Sequence, residues 1–196
     1  MPKVVDHAVR RREIGRAVAH LIAAEGLETL TVRKAATASG WSTGVLAHYV
    51  KDKDELISLA MEAITDDVIE RFVALPDTTP LERIRNAMRE LLPLTDRAAL
   101  ELNAWLQFVL YANRSGQHPR LSGDHRMLRD SMARGIAEAQ TEGEIAPELD
   151  ARATAAELLA LVDGLALHHL LDPDLMNRKA LAAALDRHLA SLGRGA

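Results

Sequence analysis

Thr31, Arg33, Ser42, Thr43, His48, Tyr49 and Lys53 lie in one short stretch and carry hydroxyl, guanidinium, imidazole, phenol and ammonium groups. Such a set donates hydrogen bonds to phosphate oxygens and to the acceptors on base edges. Covalent chemistry is not indicated. The chain has no nucleophile elbow, phosphate loop, convincing carboxylate pair or His-Glu-x-x-His. Asp163, His168 and His169 do not converge on one ion, because adjacent helical residues point about 100° apart. No catalytic residue, cofactor or metal is expected.

The local sequence says how these groups are held. Thr31 is placed to cap a helix reaching about Ser39, and Gly40 supplies a tight turn. Ser42 caps a second helix, expected from Thr43 to Tyr49, and Asp52 with Glu55 forms a capping box for a third. Two short helices joined by a Gly-containing turn are the pattern of a helix-turn-helix, whose second helix enters the DNA major groove. Val32, Ala35, Ala36, Trp41, Val45, Leu46 and Val50 supply a small shared core. Thr43, Gly44, Ala47, His48 and Tyr49 then remain outward.

The run resembles the DNA-binding region of the tetracycline-repressor (TetR) family of bacterial regulators. The resemblance rests on Thr31, Ser39-Gly40-Trp41-Ser42, Gly44, His48-Tyr49-Val50 and Lys53-Asp54-Glu55-Leu56. Trp41, Ala47 and Val50 depart from the usual Val, Tyr and Phe. The Ser-Thr-Gly-x-x-x-His-Tyr form is similar to the BetI branch, as is the stretch from Leu158 to Pro173. The resemblance implies a homodimer on a palindromic double-stranded operator. Thr43, His48 and Arg33 would reach bases, while Tyr49, Lys53, Thr31 and Ser42 hold phosphates and Gly44 sits among them.

The whole chain has 196 residues, no Cys and a net charge of −4, which suits a reducing cytoplasm. Residues 1–53 carry a net +4 and residues 54–196 a net −8. A basic head on an acidic body can aim one end at phosphate. Arg10, Arg11 and Arg12 either solvate a helix start or touch phosphate. No run is expected to span a membrane, and no membrane partner is implied.

Helical periodicity continues throughout, with no strand alternation, so the fold class is all-α with about nine helices. Residues 1–53 form the helix-turn-helix domain, a long fourth helix at about 53–75 is the connecting strut, and 76–196 form an effector-binding and dimerisation domain. Gly116 to Pro119 should break the central helix. On that helix Asn103, Gln107 and Tyr111 fall at i, i+4 and i+8. They either make a solvent strip or line an effector pocket with Trp105 and Phe108.

The Leu158–Leu171 run is apolar almost all round and needs cover on two sides. This places Leu158, Val162, Leu165, Leu181, Leu185 and Leu189 at a two-fold four-helix interface. Asp163 would meet a basic group there, or an unidentified small-molecule effector. The function expected is a repressor released by that effector. An architectural DNA-binding protein or regulator without effector, and an enzyme using the body's pocket, remain as alternatives.

Overall fold

Local propensity and capping divide the chain into helices. The computed structural model describes residues 7–115 and 118–193, with the side chains of 118–122 excepted. Helices α1 (His7–Glu25), α2 (Val32–Ser39), α3 (Thr43–Leu46) and α4 (Lys53–Val73) come first. Helices α5 (Pro80–Leu91), α6 (Asp96–Ser115), α7 (His118–Thr141), α8 (Ala151–Leu171) and α9 (Arg178–Ser191) follow. Among the described residues the secondary structure is entirely helical. Gly116, part of the expected break before α7, lies outside the described residues.

Side-chain caps start most of these helices. Thr31, Ser42, Asp52, Thr79, Asp150 and Asn177 each accept a backbone N–H from the first turn they open. Asp150 accepts from Ala153 and Arg152, and those bonds lower its pKa. The cap at Asn177 fixes the start of α9 at Arg178.

Two elements differ from expectation in the head. A 3₁₀ turn, Leu27–Thr29, links α1 to α2, entered through Gly26 at φ 88° and ψ 147°. That is positive φ, outside the left-handed helical region. Helix α3 ends at Leu46, short of Tyr49. His48 N–H and Tyr49 N–H bond back three residues, to Val45 and Leu46, so the last turn tightens into a 3₁₀ form.

Two apolar cores organise the described residues. One joins Ile14, Val18 and Ile22 of α1 to Ala35, Ala36, Leu46, Val50 and the first half of α4, and it takes in Ala104 and Phe108 of α6. The other joins α5, α7, α8 and α9 around Met88, Ile136, Leu158 and Leu185. Val32, Trp41 and Val45 are half-buried rather than core. In α4, Leu56, Leu59 and Ala60 are buried, whereas Ile64, Val68 and Phe72 are half-buried. The strut therefore begins in the head's core and leaves it midway.

By length and composition α8 could cross a bilayer, with a mean hydropathy of 1.3, which corrects the expectation that no such run exists. One face of α8 is packed into the body: Leu158, Leu159, Val162, Leu165 and Ala166 are buried there. It is built as the core helix of a globular body.

Candidate nucleic-acid interface

The expected DNA-contacting residues sit at the starts of three helices and on the outward side of α3. Thr31 and Ser42 spend an acceptor lone pair on Lys34 N–H and Val45 N–H, each at 3.2 Å. Their hydroxyl hydrogens remain as donors for an anion. Arg33, Thr43, Gly44 and His48 are exposed. Lys53 opens α4, its Nζ donating weakly to the Glu28 carbonyl at 3.4 Å.

The first turn of α1 fixes the end of α3. The His7 ring stacks on Tyr49 with centroids 4.7 Å apart, and Trp41 tilts against Tyr49 at 6.4 Å. The Arg10 guanidinium lies over Trp41, 5.1 Å from the ring centre. Arg11 donates to the Tyr49 carbonyl at 2.7 Å and faces Glu55 at 3.6 Å. Arg10 also pairs with Glu13 at 2.6 Å, and Arg12 reaches Glu70 at 2.6 Å and Asp66 at 3.4 Å. The arginine triplet thus braces the recognition segment and the strut. These pairings replace the freely solvated helix start that was one of the two expectations for it.

Helices α1 and α4 are in close contact. A Cβ on Gly15 would lie 2.4 Å from the Leu59 carbonyl oxygen and 2.8 Å from Ala63 Cβ. Outside this contact Arg16 forks onto Asp67, whose hydrogen bonds raise the arginine's pKa, and Arg12 is raised likewise by Glu70. Further along, Arg71 of α4 pairs with Glu90 of α5 and Glu101 of α6, both at 2.7 Å. These side chains tie the strut to the body.

The five expected effector residues do not converge on a cavity. Phe108 is 1% exposed inside the head's core. Gln107 bonds two head backbone groups, and the Tyr111 hydroxyl donates to Asp54 at the start of α4. Asn103 donates to the Ala99 carbonyl of its own helix, and Trp105 is half-buried. The i, i+4, i+8 spacing correctly marks one helical face but does not say that its partner is the head. An open groove of about 520 Å³ lies instead on the head, lined by residues including Leu21, Glu25, Thr31, Arg33, Lys34 and Thr37.

The hydrogen bond to Asp54 is also the main reason that the Tyr111 phenol is pushed up to about 12. A raised acid pKa favours the protonated form in the fold. The linked stability is therefore complete below the ordinary phenol value near 10 and is lost as pH rises through about 12. With only two tyrosines in the chain, an absorbance titration should show one phase at this high value. Asp54→Asn should bring it down toward the ordinary range; an unmoved phase would rule out Asp54 as the cause.

The dimer residues need correction. Leu158, Leu181, Leu185 and Leu189 are 0% exposed, Val162 is 2% and Leu165 is 8%, all within their own protomer's core. The outer face of α8 carries Ala156, Ala160, Asp163, Leu167, Leu170 and Leu171 instead. Large side chains fill the protomer, while the outward face mixes small residues with exposed leucines. An all-round apolar pattern cannot reveal that choice. Asp163 is exposed on this face, yet partial desolvation raises its pKa against the opposing pull of His125. His169 Nδ1 donates to the Met176 carbonyl at 2.7 Å, holding the end of α8 to the following loop.

Comparison with known proteins agrees with this anatomy. Residues 80–194 match the family model for the C-terminal region of BetI-type transcriptional repressors. The chain is 31% identical over 194 residues to the transcriptional regulator PksA of Bacillus subtilis strain 168, covering 98% of this chain and 94% of that one. A crystal structure of a transcriptional regulator from Rhodococcus sp. Rha1 superposes with a TM-score of 0.79 at 28% identity, covering 93% and 95% of the two chains. A regulator from Saccharomonospora viridis, described as in complex with choline, shares the fold at TM-score 0.82 and 21% identity, over 93% and 96%. The chain belongs to the TetR family of transcriptional regulators, with a BetI-type C-terminal region. Its relatives are DNA-binding regulators and not enzymes.

Proposed function

We propose that the chain is a homodimeric repressor of a palindromic operator, released in the cytoplasm by a small-molecule effector. Residues 1–53 form its DNA-binding domain, α4 is the strut, and 76–196 hold the effector and the dimer contacts. One observation carries this reading: Thr43, Gly44, His48 and Arg33 are all exposed, and Trp41 and Tyr49 on either side of α3 are braced by His7, Arg10 and Arg11. A braced segment with free polar groups is suited to entering a major groove.

The outer faces of α8 and α9 are the proposed dimer surface, and they support the two-fold symmetry that a palindrome requires. Ligand chemistry is less specific. The chain has two Trp, two Tyr and two Phe. Trp41 and Tyr49 lie in the head, and Phe108 and Tyr111 are engaged with it. Phe72 and Trp105 are too few for a quaternary-ammonium cage, so choline is not carried over as this chain's effector.

Selection from a randomised duplex library tests the reading. The recovered DNA should contain an inverted repeat with half-site centres about 34 Å, or a multiple of that, apart. Against that repeat, Lys53→Ala should weaken binding alike for every base variant, since it removes a phosphate contact. Arg33→Ala should cost about 1–3 kcal/mol and relax preference at one base pair. If library recovery shows no two-fold repeat, or both substitutions leave affinity unchanged, the docking is wrong.

A further inference from the structure

Gln107 lies where α6 meets the bend between α1 and the 3₁₀ turn. We propose that Gln107 is a positioning residue that fixes the DNA-binding head against α6, so that α6 shares with α4 the setting of the head's angle.

Both ends of its amide are used on the head. Leu27 N–H donates to Gln107 Oε1 at 2.5 Å, and Gln107 Nε2 donates to the Ile22 carbonyl at 2.9 Å. That carbonyl belongs to the last turn of α1 and also accepts Gly26 N–H at 2.9 Å. Leu27 N–H opens the 3₁₀ turn leading to α2. One side chain therefore spans the joint between the first two head helices. Gly26 permits the joint through its positive φ of 88°, which L side chains rarely adopt; the space itself would admit a Cβ, 3.7 Å from Gln107 Oε1.

The neighbours of Gln107 on α6 point the same way. Ala104 and Phe108 are 0% and 1% exposed in the head's core, and Tyr111 bonds Asp54 one turn further on. Leu102, Trp105 and Val109 lie on the other side of the helix by its 100° step, and α6 also packs on α5 and α7. A shift of α6 within the body is therefore passed to the head directly, as well as along the strut. An amide fork suits this task because its two bonds are directional, and losing it leaves two backbone groups without partners. The inference rests on the regulator reading only for what the head angle means to DNA.

Because the chain has no Cys, two introduced cysteines can carry spin labels alone. We choose Thr37→Cys on α2 and Thr141→Cys at the end of α7, both exposed. The labelled full chain, diluted in unlabelled chain, reports the distance within one protomer whether or not it dimerises. With Gln107 present the distance should be single and narrow. Gln107→Leu should broaden the distribution about twofold as further head angles become populated. Gln107→Glu, which keeps the acceptor for Leu27 N–H but cannot donate to Ile22, should fall between. Asn103→Leu, whose amide serves only its own helix, should leave the distance unchanged. An unaltered distribution in Gln107→Leu, even with a lowered melting temperature, overturns the proposal and leaves a purely structural amide. If that chain does not fold, Gln107→Glu decides on the same readout. A missing inverted repeat in the library selection would refute the DNA reading without moving these labels.

Discussion

Replacing Gly15 with Ala lowers the melting temperature by about 6–12 °C and removes operator binding. The added methyl would meet the Leu59 carbonyl at 2.4 Å and Ala63 Cβ at 2.8 Å. Neither atom is the free end of a flexible side chain, so α1 and α4 must separate. Overpacking of this kind costs about 1–3 kcal/mol, and a backbone obstacle puts this site near 3. For a chain of this size each kcal/mol is worth roughly 2–4 °C. Separation would also pull His7, Arg10 and Arg11 away from Tyr49 and Trp41, so DNA affinity falls even where the head stays folded. Thermal melting and DNA binding of the Gly15→Ala protein measure both effects. A melting temperature within a degree or so of the parent would show that α1 does not need the close approach.

The second large effect is on assembly. Leu167 and Leu171 are 46% and 71% exposed on the outer face of α8, so replacing both with Glu costs the isolated protomer little. In the proposed dimer the same carboxylates would be buried against apolar surface, which is costly without partners. Light scattering should show monomers. Operator affinity should fall by about a hundredfold or more, since two linked heads gain that much over one. Retention of the dimer by the doubly substituted protein would remove this face from the interface. Leu165→Asp or Leu185→Asp is a poorer test, because those side chains are buried in the protomer and the change would unfold it.

How far the sequence could be read depended on what each residue's signal encodes. Caps and turns are local, and Thr31, Ser42 and Asp52 were legible because each acts within one turn of its own position. Partners distant in sequence were not. Gln107 meets Leu27 across 80 residues and Tyr111 meets Asp54 across 57, and periodicity on α6 cannot say which neighbour its polar face will find. The same limit applied to α8, where an apolar surround hid which side faced the body. One signal was available and unused. Gly15 interrupts an otherwise good helix at a cost of about 1 kcal/mol, which calls for a packing reason such as the contact with Leu59. Trp41, noted as a departure from the usual Val, likewise acquires its meaning only with Arg10 above it.

The pairing of the head's arginines bears on how salt should act on its DNA binding. Of the basic residues in 7–53, Arg10, Arg11, Arg12, Arg16 and Lys34 already face Glu13, Glu55, Glu70, Asp67 and Glu25. Arg33, Lys51 and Lys53 make no ion pair with an acid among the described residues. Only a cation that neutralises a phosphate releases a condensed counterion, and each contributes about 0.9 to the slope of log affinity against log salt. With Arg33 on a base, Lys51 and Lys53 on each of two heads give a slope of about −4, whereas counting every basic residue in the head would suggest a far steeper one. Binding by this head is thus tuned to a modest ionic dependence, with most of its positive charge spent on holding its own shape.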